Sequence, residues 1–306
     1  MLYAMIDVGS NTIRMAIYKI EGDRVEMLMK RKHAVGLASY VRDSFMQRQG
    51  IDKVVEIISE YRNFLEELGI DRVTAFTTAA LRNAVNGGDA VKEISHRSGI
   101  NISMMSGDDE ATFDFIGATH NLVDDKGLLI DIGGGSTEIV YFADREIKVK
   151  VSLPIGSLSF HTRYTGFHVL PNATECEEMY AEAEATISAV QEFRDVSHAQ
   201  ICGIGGTFKG AMALYNAMYG MPRRNMLMEV SRLREILRRF LRDNELIVPE
   251  KVLLMRTVPE RMHTFMPGLV IADVLAKRFD SDHIIYSDSG VREGYIYSKI
   301  LNDEDF

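Results

Sequence analysis

The sequence predicts an α/β protein made of two related halves. One motif occurs twice, as IDVGSNTIRMAIY (6–18) and as IDIGGGSTEIVYF (130–142), and the copies align without a gap at an offset of 124 residues. Between and after them, strand-like and helix-like segments alternate, which favours sheets covered by helices. The offset is the length of a domain and is too long for a solenoid repeat, so each half is expected to open with the same hairpin.

Each copy of the motif predicts a strand, a turn rich in glycine and hydroxyl residues, and a second strand. The β-rich tails IRMAIYKI (13–20) and EIVYF (138–142) form the second strand of each hairpin. The alignment places Asp7 over Asp131 and Arg14 over Glu138. The two hairpins are therefore expected to share a backbone geometry and to carry opposite charges at one position.

The remaining elements follow in order along the chain. Apolar residues at helical spacing predict a helix over 52–68 that Gly69 ends. In the second half, TECE (174–177) predicts a capping box at the start of a helix that runs to Phe193. The other predicted elements are strands at 72–80, 100–107, 199–206 and 283–288, and helices from Asp108, at 208–219 and at 289–301.

Composition and charge favour a cytoplasmic protein that binds neither nucleic acid nor a membrane. The net charge is −9, whereas proteins that bind duplexes usually carry a basic excess. The apolar runs are too short to span a bilayer, and the N-terminus lacks the pattern of a signal peptide. Cys176 and Cys202 show no CxxC spacing, which argues against a zinc site or a disulfide framework. An anionic substrate stays compatible because only the local field of the site matters.

Three glycine-rich turns predict a site for phosphate oxygens. They lie at 9–12, 133–137 and 203–207. Successive backbone N–H groups in such turns form concave anion sites, and Ser or Thr hydroxyls add donors. The third turn opens a helix, whose dipole assists. One such turn is most often only a hairpin, but three turns, two of them related by a repeat, favour phosphate binding.

The charged residues beside the turns suit two different ligands, a phosphate and a metal ion. Arg14 can form a forked hydrogen bond to a phosphate, and Asp131 with Glu138 offers hard oxygen ligands suited to Mg²⁺, with Mn²⁺ as an alternative. Glu138 could instead be a solvated charge at a strand end. Acidic Asp108, Asp109 and Glu110 could simply complement a helix dipole, and Arg82 in TTAALRNA could be a surface arginine.

Seven motifs follow one another along the chain: IDVGSNTIRMAIY, TTAALRNAVN, SGDDEA, LIDIGGGSTEIVYF, SLPIGSLSF, CGIGGTFKGAMAL and SDSGVREGYIY. Together they resemble the motifs of the exopolyphosphatase/guanosine pentaphosphate phosphohydrolase (Ppx/GppA) family, in the actin/Hsp70/sugar-kinase superfamily. The resemblance runs from the first residues to about Ile300. It implies two actin-like (ribonuclease H-like) domains with mixed sheets flanked by helices, and an active site in an interdomain cleft. The implied domains are residues 1–120 and 121–288, with a C-terminal helix at about 289–303 that packs on the first.

The resemblance also implies roles for single residues. Glu110 stands where the family has the catalytic glutamate that activates water, and Asp131 and Glu138 stand at the acidic positions associated with Mg²⁺. The residues expected to bind phosphate are Asp7, Gly9, Ser10, Asn11, Arg14, Arg82, Gly133, Gly134, Gly135, Ser136, Gly205, Gly206 and Thr207.

These roles imply an enzyme that hydrolyses the terminal phosphoanhydride of inorganic polyphosphate and releases orthophosphate. Guanosine pentaphosphate (pppGpp) is the alternative substrate. The alternatives from other functional classes are an actin-fold kinase that phosphorylates small molecules and a nucleotide-binding scaffold. A homodimer is an open expectation. The chain departs from the family at Asp109, where a glutamate is usual, and around His263, which precedes a Pro-Gly pair. The helical C-terminal domains of long members are not expected here, so long-chain processivity is not implied.

One basic segment does not belong to any of these motifs. Pro222–Arg242 holds seven arginines against Glu229 and Glu235, a local charge of +5. Its apolar residues fall near one helical face, so the helix can dock on a core while its other face stays basic. Two hypotheses remain open: a solvated face with ion pairs, or an electrostatic track for the trailing phosphates of a polyanion.

Overall fold

A computed structural model describes residues 1–120 and 125–301. The chain forms two compact units: Met1–Glu110 with the segment from Tyr295 on, and Ala111–Gly294. The division falls inside the helix Gly107–Thr119, whereas the sequence placed a domain boundary after residue 120. In the described ranges, no helix combines the length and the apolar character that a bilayer crossing requires.

The first unit is built on a five-stranded mixed sheet in the order β3-β2-β1-β6-β7. Strand β1 is antiparallel to β2 and parallel to β6, so the repeat hairpin lies at the centre of the sheet. The strands are β1 Leu2–Val8, β2 Thr12–Glu21, β3 Arg24–Ala34, β4 Val41–Arg42, β5 Phe45–Met46, β6 Val73–Thr77 and β7 Ile102–Met104. The helices are α1 Arg48–Glu67, α2 Ala79–Arg82, α3 Gly87–Ser98 and α4 Gly107–Thr119, the last of which continues into the second unit.

The predicted helix over 52–68 is confirmed as α1, which begins earlier, at Arg48. It buries Val54, Ile58, Tyr61 and Leu65, the apolar stripe that predicted it. Gly69 follows with a φ of 63°, a left-handed conformation that glycine adopts without strain and that ends the helix.

The second unit is built on a six-stranded mixed sheet in the order β10-β9-β8-β11-β13-β12. Its apolar core gathers residues from all the sheet's long strands and from the helices that cover them. The strands are β8 Gly127–Ile132, β9 Thr137–Ala143, β10 Glu146–Leu153, β11 Gln200–Ile204, β12 Leu227–Glu229 and β13 His283–Tyr286. The helices are α5 Ser157–Phe160, α6 Ala173–Ser188, α7 Gly205–Met218, α8 Val230–Arg239, α9 Val248–Thr257, α10 Met262–Arg278 and α11 Val291–Tyr295.

The predicted capping box at Thr174–Glu177 is wrong by two residues. The side chain of Asn172 accepts the N–H of Glu175 at 2.7 Å, and the Glu175 carboxylate accepts the N–H of Asn172 at 2.9 Å. Asparagine is a better N-cap than threonine, so α6 begins earlier. It ends at Ser188 rather than at Phe193, and a short 3₁₀ turn covers Gln191–Phe193.

Helices α4 and α11 approach each other through glycines. A Cβ added at Gly294 would lie 1.8 Å from the carbonyl oxygen of Phe113, and one at Gly117 would lie 2.2 Å from that of Gly290. Both obstacles are backbone atoms, which cannot rotate away as a side chain could. The crossing therefore requires glycine.

We expect Gly294→Ala to lower the free energy of unfolding by about 1–3 kcal/mol or more, the scale of overpacking in a tight core. Denaturant titration of the purified protein measures this loss. The matched control is Gly88→Ala in α3, where a Cβ meets nothing within 4 Å, so its stability should equal or exceed that of the native chain. Equal stabilities of the Gly294→Ala variant and the native chain would show that the helices can separate at no cost.

Candidate active site

The hairpin of the first unit pairs two of the predicted site residues. Asp7 on β1 lies directly opposite Arg14 on β2, and Arg14 Nη1 donates to Asp7 Oδ2 at 3.0 Å. The turn between the strands is closed by the N–H of Gly9, which donates to the carbonyl of Thr12. The Asp7 carboxylate therefore holds the Arg14 guanidinium at the end of the hairpin.

Ser10 and Asn11 lie in this turn and are buried. The side-chain Nδ2 of Asn11 is buried and has no hydrogen-bond partner among the residues that the structure describes. An unsatisfied buried amide costs free energy, so this donor favours a ligand with an acceptor atom at the turn. A phosphate oxygen is such an acceptor.

The hairpin of the second unit repeats the first. Asp131 on β8 lies opposite Glu138 on β9, and the N–H of Gly133 donates to the carbonyl of Ser136, as Gly9 does to Thr12. The common hairpin inferred from the sequence is therefore confirmed. The carbonyls of Gly133 and Gly134 accept N–H groups at the start of α5, which fixes the turn. Ser136 is buried within it.

The cross-strand pair of the second unit consists of two carboxylates. Glu138 is only 1 % exposed and Asp131 is half-buried. Like charges directly opposite each other destabilise a sheet, so this arrangement favours a cation between them. On the other side of Glu138, Ser152 Oγ on β10 donates to Oε1 at 2.6 Å.

The third glycine turn lies between β11 and α7, and β11 runs parallel to β8. Gly205 has a φ of 79°, and a Cβ there would lie 2.1 Å from Asp131 Oδ1, so only glycine fits beside that carboxylate. The hydroxyl of Thr207 is buried and donates its hydrogen to the backbone carbonyl of Ile132. In this structure that hydrogen therefore binds the backbone.

Arg261 is a neighbour of this turn that sequence reasoning missed. A Cβ added at Gly206 would lie 2.0 Å from its guanidinium carbon, so the guanidinium lies against the glycine backbone. Arg261 is far from Gly206 along the chain and belongs to a segment that the sequence flagged only for His263 and the Pro-Gly pair. The contact places a cation beside a predicted phosphate turn.

Glu110 and Arg82 form an ion pair in the first unit. Glu110 lies in the first turn of α4 and is 8 % exposed, which argues against a solvated charge that only complements the helix dipole. Arg82 Nη1 donates to Glu110 Oε2 at 2.7 Å and contacts the carbonyl of Met105 at 3.2 Å. The sequence proposed these residues separately, and the fold brings them together.

The basic segment contains β12 and α8, and four of its seven arginines form ion pairs with described carboxylates. Arg234 Nε lies 2.6 Å from Asp273 Oδ1, and Arg242 Nη2 lies 3.1 Å from Glu175 Oε1. Arg239 holds both carboxylate oxygens of Glu250. Arg232 lies 3.6 Å from Glu229 and over the ring of Tyr219. These pairs support the hypothesis of a solvated face with ion pairs.

We expect Arg239→Ala to lower the melting temperature, because its guanidinium is engaged by Glu250. If the substrate is the polyphosphate that the resemblance implies, the KM for long chains should stay unchanged. Differential scanning fluorimetry and steady-state kinetics measure the two quantities. Arg238→Ala, an exposed neighbour, serves as the control and should change neither. A rise in KM for long but not short polyphosphate in either variant would support the track hypothesis instead.

Two histidines face each other near α5 and α10. The rings of His161 and His263 have centroids 5.0 Å apart, and His161 Nδ1 is buried with no hydrogen-bond partner within 1–120 and 125–301. Burial, and then the neighbouring His263, lowers the pKa of His161 from 6.5 to about 4. Burial and the charge of Arg261 lower the pKa of His263 as well. The folded protein therefore holds His161 neutral.

Stability should consequently depend on pH in this window. Between about 4 and 6.5 the unfolded chain binds a proton at His161 that the folded chain does not, so the free energy of unfolding should fall as pH drops from 6.5 towards 4. Denaturant titrations at several pH values in this window give the free energy of unfolding at each pH. We expect that free energy to change less steeply with pH in His161→Gln than in the native chain. His96 is exposed, so His96→Gln serves as the control and should keep the native pH dependence. The same pH dependence in all three proteins would contradict the conclusion that folding keeps His161 neutral.

Solved structures share this architecture. An exopolyphosphatase from Cytophaga hutchinsonii matches with a TM-score of 0.84 at 24 % identity, over 99 % of this chain and 98 % of that chain. The Ppx/GppA family member of Aquifex aeolicus matches with a TM-score of 0.76 at 23 % identity, over 99 % of both chains. Together with the two mixed sheets, these likenesses define the class of the molecule: a two-domain α/β protein of the actin-like fold, as the sequence predicted.

The chain belongs to the Ppx/GppA phosphatase family, whose model matches residues 16–303. A Haemophilus influenzae relative named as a candidate exopolyphosphatase is 26 % identical over 96 % of this chain and 90 % of its own length. A guanosine-5'-triphosphate,3'-diphosphate pyrophosphatase of Photobacterium profundum is 26 % identical over 97 % of this chain, which spans 59 % of that protein. The predicted family and the predicted enzyme class, a phosphoanhydride hydrolase, are confirmed.

Proposed function

We propose that this chain hydrolyses the terminal phosphoanhydride bond of inorganic polyphosphate in a Mg²⁺-dependent reaction. The observation that carries the proposal is the difference in charge between the two related hairpins. Across three adjacent strands the first unit places Asp7, Arg14 and Lys32, and the second places Asp131, Glu138 and Ser152. The first row is net positive and suits phosphate, whereas the second is net negative and suits a divalent cation.

Asp131 and Glu138 would hold the Mg²⁺, or Mn²⁺ in its place. Their facing carboxylates, one of them buried, fit a small divalent cation that removes the repulsion between them. Over the described ranges, no group of three or more His, Cys, Asp or Glu side chains is placed to hold a metal ion. Further ligands would thus be water and phosphate oxygens, as is usual for Mg²⁺. When bound, the ion supplies charge that offsets the phosphate oxygens.

Glu110 orients and deprotonates the attacking water, in this proposal. Arg82 contacts Glu110, and its planar guanidinium, which suits phosphate oxygens, would hold the phosphoryl group beside that carboxylate. The N–H groups of the first turn and Asn11 Nδ2 hold oxygens of the same substrate. Catalysis of this kind consists mainly of positioning and electrostatic stabilisation.

Asp7 receives a different role from the other residues of its turn. A carboxylate repels phosphate, and Asp7 forms an ion pair with Arg14. We therefore assign it to orient the Arg14 guanidinium, which contacts the substrate.

A second candidate is the release of the terminal 5'-phosphate of pppGpp. The name of the Photobacterium profundum relative favours this substrate. The chemistry is the same, and only the group behind the scissile bond differs.

One experiment tests the proposal. Phosphate release is measured from tripolyphosphate, long polyphosphate, pppGpp and ATP, each with Mg²⁺ and without an acceptor. We expect release without an acceptor and the highest kcat/KM for polyphosphate. A preference for pppGpp would favour the second candidate, a requirement for an acceptor would indicate a kinase, and no release from any substrate would reject hydrolysis.

A further inference from the structure

Ser152 is the residue of β10 that lies opposite Glu138, and it takes no part in the motif roles described above. Its Oγ donates to Glu138 Oε1 at 2.6 Å, the short distance typical of a hydroxyl bonded to an ionised carboxylate. Glu138 is almost fully buried, so its carboxylate depends on such donors for its orientation. The bond joins the third strand of the sheet to one of the two acidic groups.

The surroundings of Glu138 are asymmetric. On the β8 side it faces Asp131, a carboxylate that repels it while both are ionised, and on the β10 side it faces the Ser152 hydroxyl. Repulsion alone would turn the Glu138 side chain away from Asp131. The hydroxyl fixes one carboxylate oxygen at a defined point and so limits that rotation.

The first unit supplies a natural comparison. The residue opposite Arg14 on the corresponding strand is Lys32, a cation. A cation at the position of Ser152 would neutralise Glu138 and compete with a metal ion, whereas a serine hydroxyl donates one hydrogen bond and brings no charge. A neutral donor is what a metal-holding carboxylate needs on its outer side.

We propose that Ser152 is a positioning residue for the divalent cation: it orients the Glu138 carboxylate towards the ion shared with Asp131. This inference rests on the proposed function, because it takes Asp131 and Glu138 as the cation ligands. Partners of this kind typically change metal affinity by about 10- to 100-fold when they are removed. Ser152→Ala should weaken cation binding by that factor, while Ser152→Thr, which keeps the hydroxyl, should restore it.

The test is Mn²⁺ binding by the full chain in phosphate-free buffer, followed by electron paramagnetic resonance of the free ion. The matched control is Ser281→Ala, which removes another buried serine hydroxyl of the same unit, one that donates to the carbonyl of His198. Native chain, Ser152→Thr and Ser281→Ala should bind with similar affinity, and Ser152→Ala about 10- to 100-fold more weakly. Melting temperatures recorded without metal verify that each variant is folded.

Kinetics give a second measurement. Ser152→Ala should raise the Mg²⁺ concentration for half-maximal activity and leave KM for tripolyphosphate unchanged at saturating Mg²⁺, a split that a general loss of structure would not produce. Native affinity for Mn²⁺ in folded Ser152→Ala would overturn the positioning role and leave the metal site intact. A native chain that binds no Mn²⁺ would overturn the metal site of the proposed function, and this inference with it.

Discussion

Glu110→Gln is expected to lower kcat by at least about 10²-fold, the usual scale for loss of a general base. The amide is nearly isosteric with the carboxylate but cannot take a proton from water. It still offers Arg82 a carbonyl oxygen, so the fold and KM should change little. Steady-state kinetics with tripolyphosphate and saturating Mg²⁺ measure the effect.

The neighbouring Asp109→Asn is the control for this variant. Asp109 is exposed and accepts a hydrogen bond from Ser106 at the start of α4, so its variant removes a similar charge from the same helical turn. It should retain native kcat. Near-native turnover of Glu110→Gln, or an equal loss in both variants, would refute the role of Glu110 as the base.

Asp131→Asn and Glu138→Gln should each weaken Mg²⁺ binding, because each removes one of two charged ligands. The Mg²⁺ concentration for half-maximal activity should rise by at least about 10-fold, and by a similar factor in both variants. Activity of the native chain should vanish in excess EDTA. The Mg²⁺ concentration for half-maximal activity measures the change. Asp144→Asn, an exposed turn residue between β9 and β10, should behave as the native chain does.

Melting temperatures test the cation site at Asp131 and Glu138 independently of activity. Without metal, either substitution relieves the repulsion between facing carboxylates, so the melting temperature in EDTA should rise. A given concentration of Mg²⁺ should then raise the melting temperature of the native chain more than that of either variant. Full native activity in EDTA, or equal Mg²⁺ stabilisation of all the proteins, would exclude a cation at this position.

The repeat and its hairpins could be predicted because their signal is local. Alternating β-rich tails and glycine turns specify a hairpin within a few residues, and the gapless alignment transfers the register of Asp7 and Arg14 to Asp131 and Glu138. Helix α1 was predictable for a similar reason: its apolar stripe has helical period, and glycine ends it.

Helix α10 shows where such reasoning stops. Its residues from Thr264 to Ala276 are buried without interruption, so no polar face marks a helical period, and Pro267 lies inside it. The sequence therefore assigned no element there. A helix surrounded by protein on all sides lacks the amphipathic pattern on which sequence reading depends.

The contacts of the candidate site are non-local for the same physical reason. Arg82 and Glu110 meet only because α2 and α4 follow neighbouring parallel strands, β6 and β7. Arg261, which contacts Gly206, directly precedes α10, a helix that the sequence did not predict. The bond from Ser152 to Glu138 depends on the register of a third strand, although the SLPIG motif contains part of that strand.

The most direct test of the account is the fate of the water oxygen. Tripolyphosphate is hydrolysed by the native chain with Mg²⁺ in water labelled with oxygen-18, and phosphorus NMR locates the label. Attack of a water molecule on the terminal phosphorus predicts one labelled oxygen in the released orthophosphate and none in the pyrophosphate that remains. Label in the pyrophosphate, or orthophosphate released without label, would contradict hydrolysis at the terminal phosphoanhydride bond.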